Sequence, residues 1–92
     1  MIQKIKLNRG QVLTKSNISE CLTKARNGND YCRFELKFGM YITIAFFKDN
    51  TFDIMTNSRN IALWNEIENL RRMRGVIIIT DYVFRWIQIY NR

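Results

Sequence analysis

The sequence predicts a small α+β domain, in which a three-stranded antiparallel meander, with one or two added edge strands, packs against two or three helices. Two segments with helical spacing of apolar residues flank a central region that alternates between apolar and polar residues. The 92 residues, of which 47% are hydrophobic, fit one domain spanning 1–92, near the size at which a single core suffices. The four glycines fall at joints between these segments.

The N-terminal third predicts an edge strand followed by a helix. Residues 2–7 alternate, with Lys4 and Lys6 on one side of the chain and apolar residues on the other. Asn17, followed three residues later by Glu20, resembles a capping box. Apolar residues then recur at helical spacing, so we expect a helix that ends at Gly28.

The central region predicts three antiparallel strands. Residues 31–38 place Cys32 and Phe34 on one face and charged or tyrosine side chains on the other. Keeping the faces matched predicts a first loop at 38–40, which pairs Leu36 with Ile42 and Phe34 with Ile44. The same argument predicts a second loop at 48–50, which pairs Phe46 with Phe52 and Ile44 with Ile54. Asn50 suits a left-handed position in that second loop.

The C-terminal third predicts a helix, a strand and a final segment whose pattern fits either a helix or a strand. Ser58 is a plausible N-cap for a helix whose apolar stripe runs to Met73 before Gly75. The run 76–79 is apolar throughout, which favours a strand covered on both faces or an oligomer seam. Residues 81–91 are interpreted as a helix capped by Thr80, with a long strand as the alternative. The resulting order is β-α-β-β-β-α-β-α.

The middle of this order, α-β-β-β-α, resembles that of double-stranded-RNA-binding domains and of some small ribonuclease toxins. The resemblance concerns topology only. Residues 58–61 read Ser-Arg-Asn-Ile, where the RNA-binding family has a short basic stretch, and the first hairpin loop is tighter than the family's. The order alone therefore assigns no function.

The residue inventory argues against catalysis and against a cofactor. No histidine is present, so Ser-His and Cys-His nucleophile pairs are excluded. Cys21 and Cys32 are too few for a structural zinc site without carboxylates, and we expect two reduced, buried thiols. No glycine-rich phosphate loop occurs either. We expect a protein that is not an enzyme, although a histidine-independent ribonuclease toxin remains a third hypothesis.

The net charge of +7 is the main functional signal. The candidate nucleic-acid-binding residues form three groups: an arginine cluster, the N-terminal cations and the outer face of the sheet. They are Arg71, Arg72 and Arg74; Lys4, Lys6 and Arg9; and Arg33, Lys37 and Tyr41. Each group has a structural alternative, because cations at a helix end offset its dipole, surface lysines are common, and the C-terminal segment or another subunit could cover the sheet.

These observations favour a small non-catalytic nucleic-acid-binding protein, with RNA preferred to DNA, that acts through phosphate contacts from basic residues. The alternative is a protein-binding inhibitor or adaptor of phage or mobile-element type, which blocks an acidic or nucleic-acid-handling host protein. Aromatic and apolar residues in 76–92 also suit a homodimer interface. No run is long enough to cross a bilayer and no signal peptide is evident, so we expect a cytoplasmic protein without membrane contact.

Overall fold

A computed structural model describes the backbone of residues 2–6 and the full residues 14–49, 51–72 and 75–90. Four strands and three helices follow one another along these residues, with one short 3-10 turn between the second and third strands. In chain order they are β1 (Ile2–Lys6), α1 (Lys15–Asn27), β2 (Tyr31–Glu35), the turn Lys37–Gly39, β3 (Tyr41–Phe46), β4 (Phe52–Thr56), α2 (Ile61–Leu70) and α3 (Val76–Tyr90). The predicted α+β class is confirmed.

The strands form one sheet in the order β1-β2-β3-β4. β2, β3 and β4 pair antiparallel, which confirms the predicted meander, and β1 pairs with β2 in parallel at the edge of the sheet. A parallel pair needs a crossover connection, and α1 lies within the one between β1 and β2.

All three helices contribute to one core on a single face of the sheet. Every second residue of β2 and β3 is buried, and Phe34, Ile44 and Ile54 are fully enclosed. These residues share a cluster with buried side chains from each helix, of which Trp86 in α3 is the largest. The other face of the sheet carries the half-buried and exposed residues of the strand alternation.

The prediction of a strand at 76–79 is wrong, because these residues form the first turn of α3. Val76 and Ile79 are buried, whereas Ile77 is 78% exposed. The buried positions continue through Thr80 and Val83 at helical spacing. The four residues 76–79 are all apolar, so hydrophobicity alone does not show this spacing within the run. The segment 81–90 is helical, as preferred. No helix among the described residues is both long and apolar enough to cross a membrane.

The observed helix starts differ from the predicted ones. The N-cap of α1 is Thr14, whose side chain accepts a hydrogen bond from the Asn17 backbone N–H at 3.2 Å. Asn60, rather than Ser58, caps α2 and accepts from the Leu63 N–H. Thr80 lies inside α3, where its hydroxyl donates to a main-chain carbonyl one turn earlier. Several Ser, Thr and Asn residues stand near each start, and only the hydrogen bond selects among them.

The first hairpin loop lies one residue earlier than predicted, whereas the second is correct. In the first hairpin, Phe34 pairs with Ile42, and the loop consists of Lys37–Gly39. Gly39, with φ of 74°, takes the left-handed conformation at the last loop position, where glycine carries no Cβ penalty. The second hairpin pairs Phe46 with Phe52 as predicted. Asn50 lies outside the described residues.

A candidate nucleic-acid interface

The outer face of the sheet, defined here as the face opposite the helices, is open to solvent in the described structure. Arg33 pairs in register with Thr43, and Thr43 pairs with Met55, so these three side chains form a row across β2, β3 and β4. Met55 is 58% exposed and Phe47, after β3, is 51% exposed. The buried residues of α3 belong to the core on the other face. The alternative in which the C-terminal segment covers this face therefore does not hold for residues 76–90, whereas coverage by another subunit stays untested.

Arg33 and Tyr41 contact each other on this face, from the neighbouring strands β2 and β3. The guanidinium carbon of Arg33 lies 3.9 Å from the centroid of the Tyr41 ring, which is cation–π contact. Tyr41 pairs directly with Glu35, which lies two residues after Arg33 on β2. Arg33 and Tyr41 are therefore diagonal neighbours across β2 and β3. Arg33 makes no ion pair with a carboxylate of the described residues, and its Nε is buried without a hydrogen-bond partner. The contact thus places on the outer face a cation that no described carboxylate pairs with.

Two residues of the predicted N-terminal group, Lys4 and Lys6, lie on β1, the strand that pairs with the Arg33 strand. The register places Lys4 opposite Arg33 and Lys6 opposite Glu35 across the parallel β1–β2 pair. Lys37 is exposed in the first hairpin loop. Arg9 lies outside the described residues. The fold therefore brings part of the N-terminal group and the outer-face group to the same half of the sheet.

The arginine cluster is placed elsewhere, beside the other edge of the sheet. Arg71 follows α2 and pairs with Glu68 and, at 3.3 Å, with Asp53. Its guanidinium also donates to the backbone carbonyl of Ile54 at 3.2 Å. β4 is the edge strand, and the Ile54 carbonyl points away from β3, so no strand of the described sheet supplies it with a donor. Arg71 supplies this hydrogen bond instead and so protects the edge of the sheet. Its side chain holds α2 against β4.

Of the other two arginines of the cluster, the structure describes only Arg72. Arg72 is exposed, and no described carboxylate pairs with it. Arg74 lies outside the described residues. Phosphate binding by the cluster stays a prediction, with Arg72 the described member whose charge is available.

We expect Arg71→Ala to lower the free energy of unfolding by about 1 to 2 kcal/mol, because it removes a hydrogen bond to a backbone carbonyl and two partly exposed ion pairs. Arg72→Ala, which removes the same charge, is the matched control and should change stability by less than about 0.5 kcal/mol. Urea denaturation followed by circular dichroism measures both. Equal, negligible effects would contradict the structural role of Arg71.

Asn57 is a residue of this face that the sequence did not reveal. Its side-chain carbonyl accepts from the Tyr41 backbone N–H, and its amide donates to the Gly39 carbonyl, both at 2.9 Å. These bonds join the chain after β4 to the first hairpin and fix the start of the strand that carries Tyr41. The contact spans 16 positions of sequence, and no local pattern predicts it.

The two cysteines lie behind the sheet, in the core, and do not contribute to this face. Cys21 of α1 and Cys32 of β2 are buried free thiols whose sulfurs lie 2.7 Å apart. The hydrogen bond between the two thiols lowers the pKa of Cys21 and raises the pKa of Cys32. No group of three potential metal ligands occurs among the residues that the structure describes.

Comparisons with protein families, with curated proteins and with solved structures found no match.

Proposed function

We propose that this protein binds single-stranded nucleic acid, with RNA preferred to DNA, on the outer face of its sheet. The observation that carries the proposal is the cation–π pair of Arg33 and Tyr41 on a face that no described helix covers, with Arg33 in no ion pair with a described carboxylate. An arginine that rests against an aromatic ring has its planar guanidinium restrained, and its terminal N–H donors suit phosphate oxygens and unpaired bases.

The neighbours of this pair offer the other contacts that a single strand requires. Tyr31 and Phe47 are aromatic side chains on or beside the same face, and Phe47 is half exposed. Unpaired bases stack on such rings whatever their sequence. The hydroxyl of Thr43, next to Arg33, is a donor and acceptor that can pair with a ribose 2′-OH. The face thus favours RNA without predicting sequence specificity.

Electrostatics support the same assignment. The net charge of +7 attracts a polyanion over the whole surface. Asp53, which would otherwise place a negative charge on β4, is paired with Arg71. The ion pair therefore lowers the repulsion that a phosphate backbone would meet at that edge. Arg71 thus supports binding on the outer face by neutralising Asp53, without contacting the nucleic acid.

Fluorescence anisotropy with labelled single-stranded RNA, duplex RNA and duplex DNA tests this function. We expect the tightest binding to the single strand. With about four phosphate contacts, affinity should fall about 50-fold between about 50 and 200 mM salt, because counterions are released. Equal affinity for all three nucleic acids, or no binding at low salt, would overturn the proposal. The RNA should remain intact on a gel, since cleavage would instead favour a ribonuclease.

One observation favours the second candidate, a protein-binding inhibitor or adaptor. Phe38 at the tip of the first hairpin is 100% exposed and has a left-handed backbone, with φ of 59°. A bulky residue in this conformation is strained, and here it contributes no burial. Exposed aromatic side chains are frequent hot spots of protein interfaces. Phe38→Ala should leave RNA binding unchanged if the sheet face is the site, and should abolish capture of a protein partner if the tip is.

Exposed apolar side chains also support the proposed homodimer through 76–92. Ile77, Ile78 and Ile89 of α3 are exposed apolar residues within that segment. Sedimentation at several protein concentrations tests the association, which stays a prediction.

A further inference from the structure

A buried pair of thiols lies where α1 packs against β2. Cys21 lies on the core side of α1 and is 6% exposed, whereas Cys32, in β2, is fully buried. Their sulfur atoms are 2.7 Å apart. On the opposite side of β2, the next residue is Arg33 of the outer face.

We propose that Cys21 and Cys32 form a redox modification site, at which a peroxide closes a reversible disulfide that ties α1 to β2. This inference stands on the thiol geometry and does not depend on nucleic-acid binding.

The fold already holds the two residues where the bond requires them. A disulfide bond is about 2.05 Å long, so the sulfurs need to approach by less than about 1 Å. α1 and β2 are joined closely by backbone, because the Asp30 N–H donates to the Ala25 carbonyl at 2.8 Å just before β2 begins. Bridging therefore starts from two sulfurs that are already in contact, on two elements that the backbone hydrogen bond holds together.

The chemistry proceeds in two balanced steps. The Cys21 thiolate attacks one oxygen of hydrogen peroxide, so the O–O bond breaks, a Cys21 sulfenic acid forms and hydroxide leaves to take a proton. The Cys32 thiol then attacks the Cys21 sulfur, the S–O bond breaks, and water leaves as the S–S bond forms. Two thiols are oxidised and one peroxide is reduced to two waters.

The assignment of roles follows from exposure and hydrogen bonding. Cys21 is the more exposed residue of the two, and the hydrogen bond with Cys32 that lowers its pKa also favours its thiolate. Cys32 is enclosed and has the higher pKa, which suits the resolving thiol. Because Cys21 is only 6% exposed, a small uncharged oxidant such as hydrogen peroxide is the reagent that suits this site.

Exposure of the folded protein to hydrogen peroxide, followed by alkylation in denaturant and mass spectrometry, tests the site. We expect a Cys21–Cys32 linked peptide, loss of two alkylatable thiols, and full recovery after dithiothreitol. Because the crosslinked positions lie only eleven apart, the unfolded chain loses moderate entropy, and the Tm should rise by roughly 10 °C.

Two comparisons keep the result interpretable. Cys32→Ala should accumulate oxidised Cys21 without an intramolecular bridge, and its Tm should not rise with peroxide. Wild-type protein oxidised in urea should form the bridge more slowly than folded protein, since unfolding separates the thiols. Persistent free thiols in folded wild type, or a bridge formed equally fast in urea, would overturn the proposal.

Discussion

Replacing Arg33 with glutamate is expected to weaken binding to single-stranded RNA by about 2 to 3 kcal/mol, which corresponds to about 30- to 140-fold. The variant loses one phosphate contact and the stacked guanidinium plane, and it places a negative charge where the phosphate backbone should lie. Anisotropy titrations at several salt concentrations measure the change. The dependence of affinity on salt should also become shallower.

Two variants control for charge and for stacking. Arg26→Glu makes the same charge change on the exposed side of α1, a helix that packs on the other face of the sheet, and should weaken binding only a few-fold. Arg33→Lys keeps the charge but loses the planar group, so we expect an intermediate loss. If Arg26→Glu weakens binding as much as Arg33→Glu, net charge alone explains affinity and the outer face is not a site.

Trp86→Ala is expected to lower the free energy of unfolding by about 3 to 5 kcal/mol, a large part of the 5 to 15 kcal/mol typical of a domain. The ring is fully buried, its N–H donates to Glu66 of α2, and it lies 5.7 Å from the Tyr82 ring. The substitution thus removes core volume and a bond between α2 and α3. Urea denaturation followed by circular dichroism measures the loss.

Ile77→Ala on the same helix is the matched control. Ile77 is 78% exposed, so its truncation should change stability by less than about 0.5 kcal/mol. A strand covered on both faces would instead bury this residue, and the substitution would cost about 2 to 5 kcal/mol. The comparison therefore separates the observed helix from the strand that the apolar run had suggested.

The sequence predicted the elements well wherever one periodicity dominated. Strands with clean alternation, such as the segment that carries Cys32 and Phe34, have their faces assigned correctly. The run 76–79 carries no such contrast, because every position is apolar, and burial of Val76 and Ile79 depends on packing against the rest of the core. The loop shift in the first hairpin has a local cause, since Gly39 occupies the last position of the loop.

The candidate site was predictable in part. Alternation placed Arg33 and Tyr41 on one face, but the stacking between them depends on a register that differs from the predicted one. The density of arginines near the end of α2 suggested a phosphate clamp, whereas Arg71 instead contacts Asp53 and the edge of β4. A cluster of arginines in the sequence shows where positive charge is concentrated. Only the tertiary contacts show which of these arginines already have a partner within the protein.

Backbone NMR during titration with a single-stranded RNA tests the central claim most directly, because each amide reports its own surroundings. We predict the largest shifts in β2 and β3, around Arg33 and Tyr41, with small changes along α1 and α3. Shifts concentrated around Arg72 at the end of α2, with an unperturbed sheet, would contradict the assignment of the outer face as the binding site.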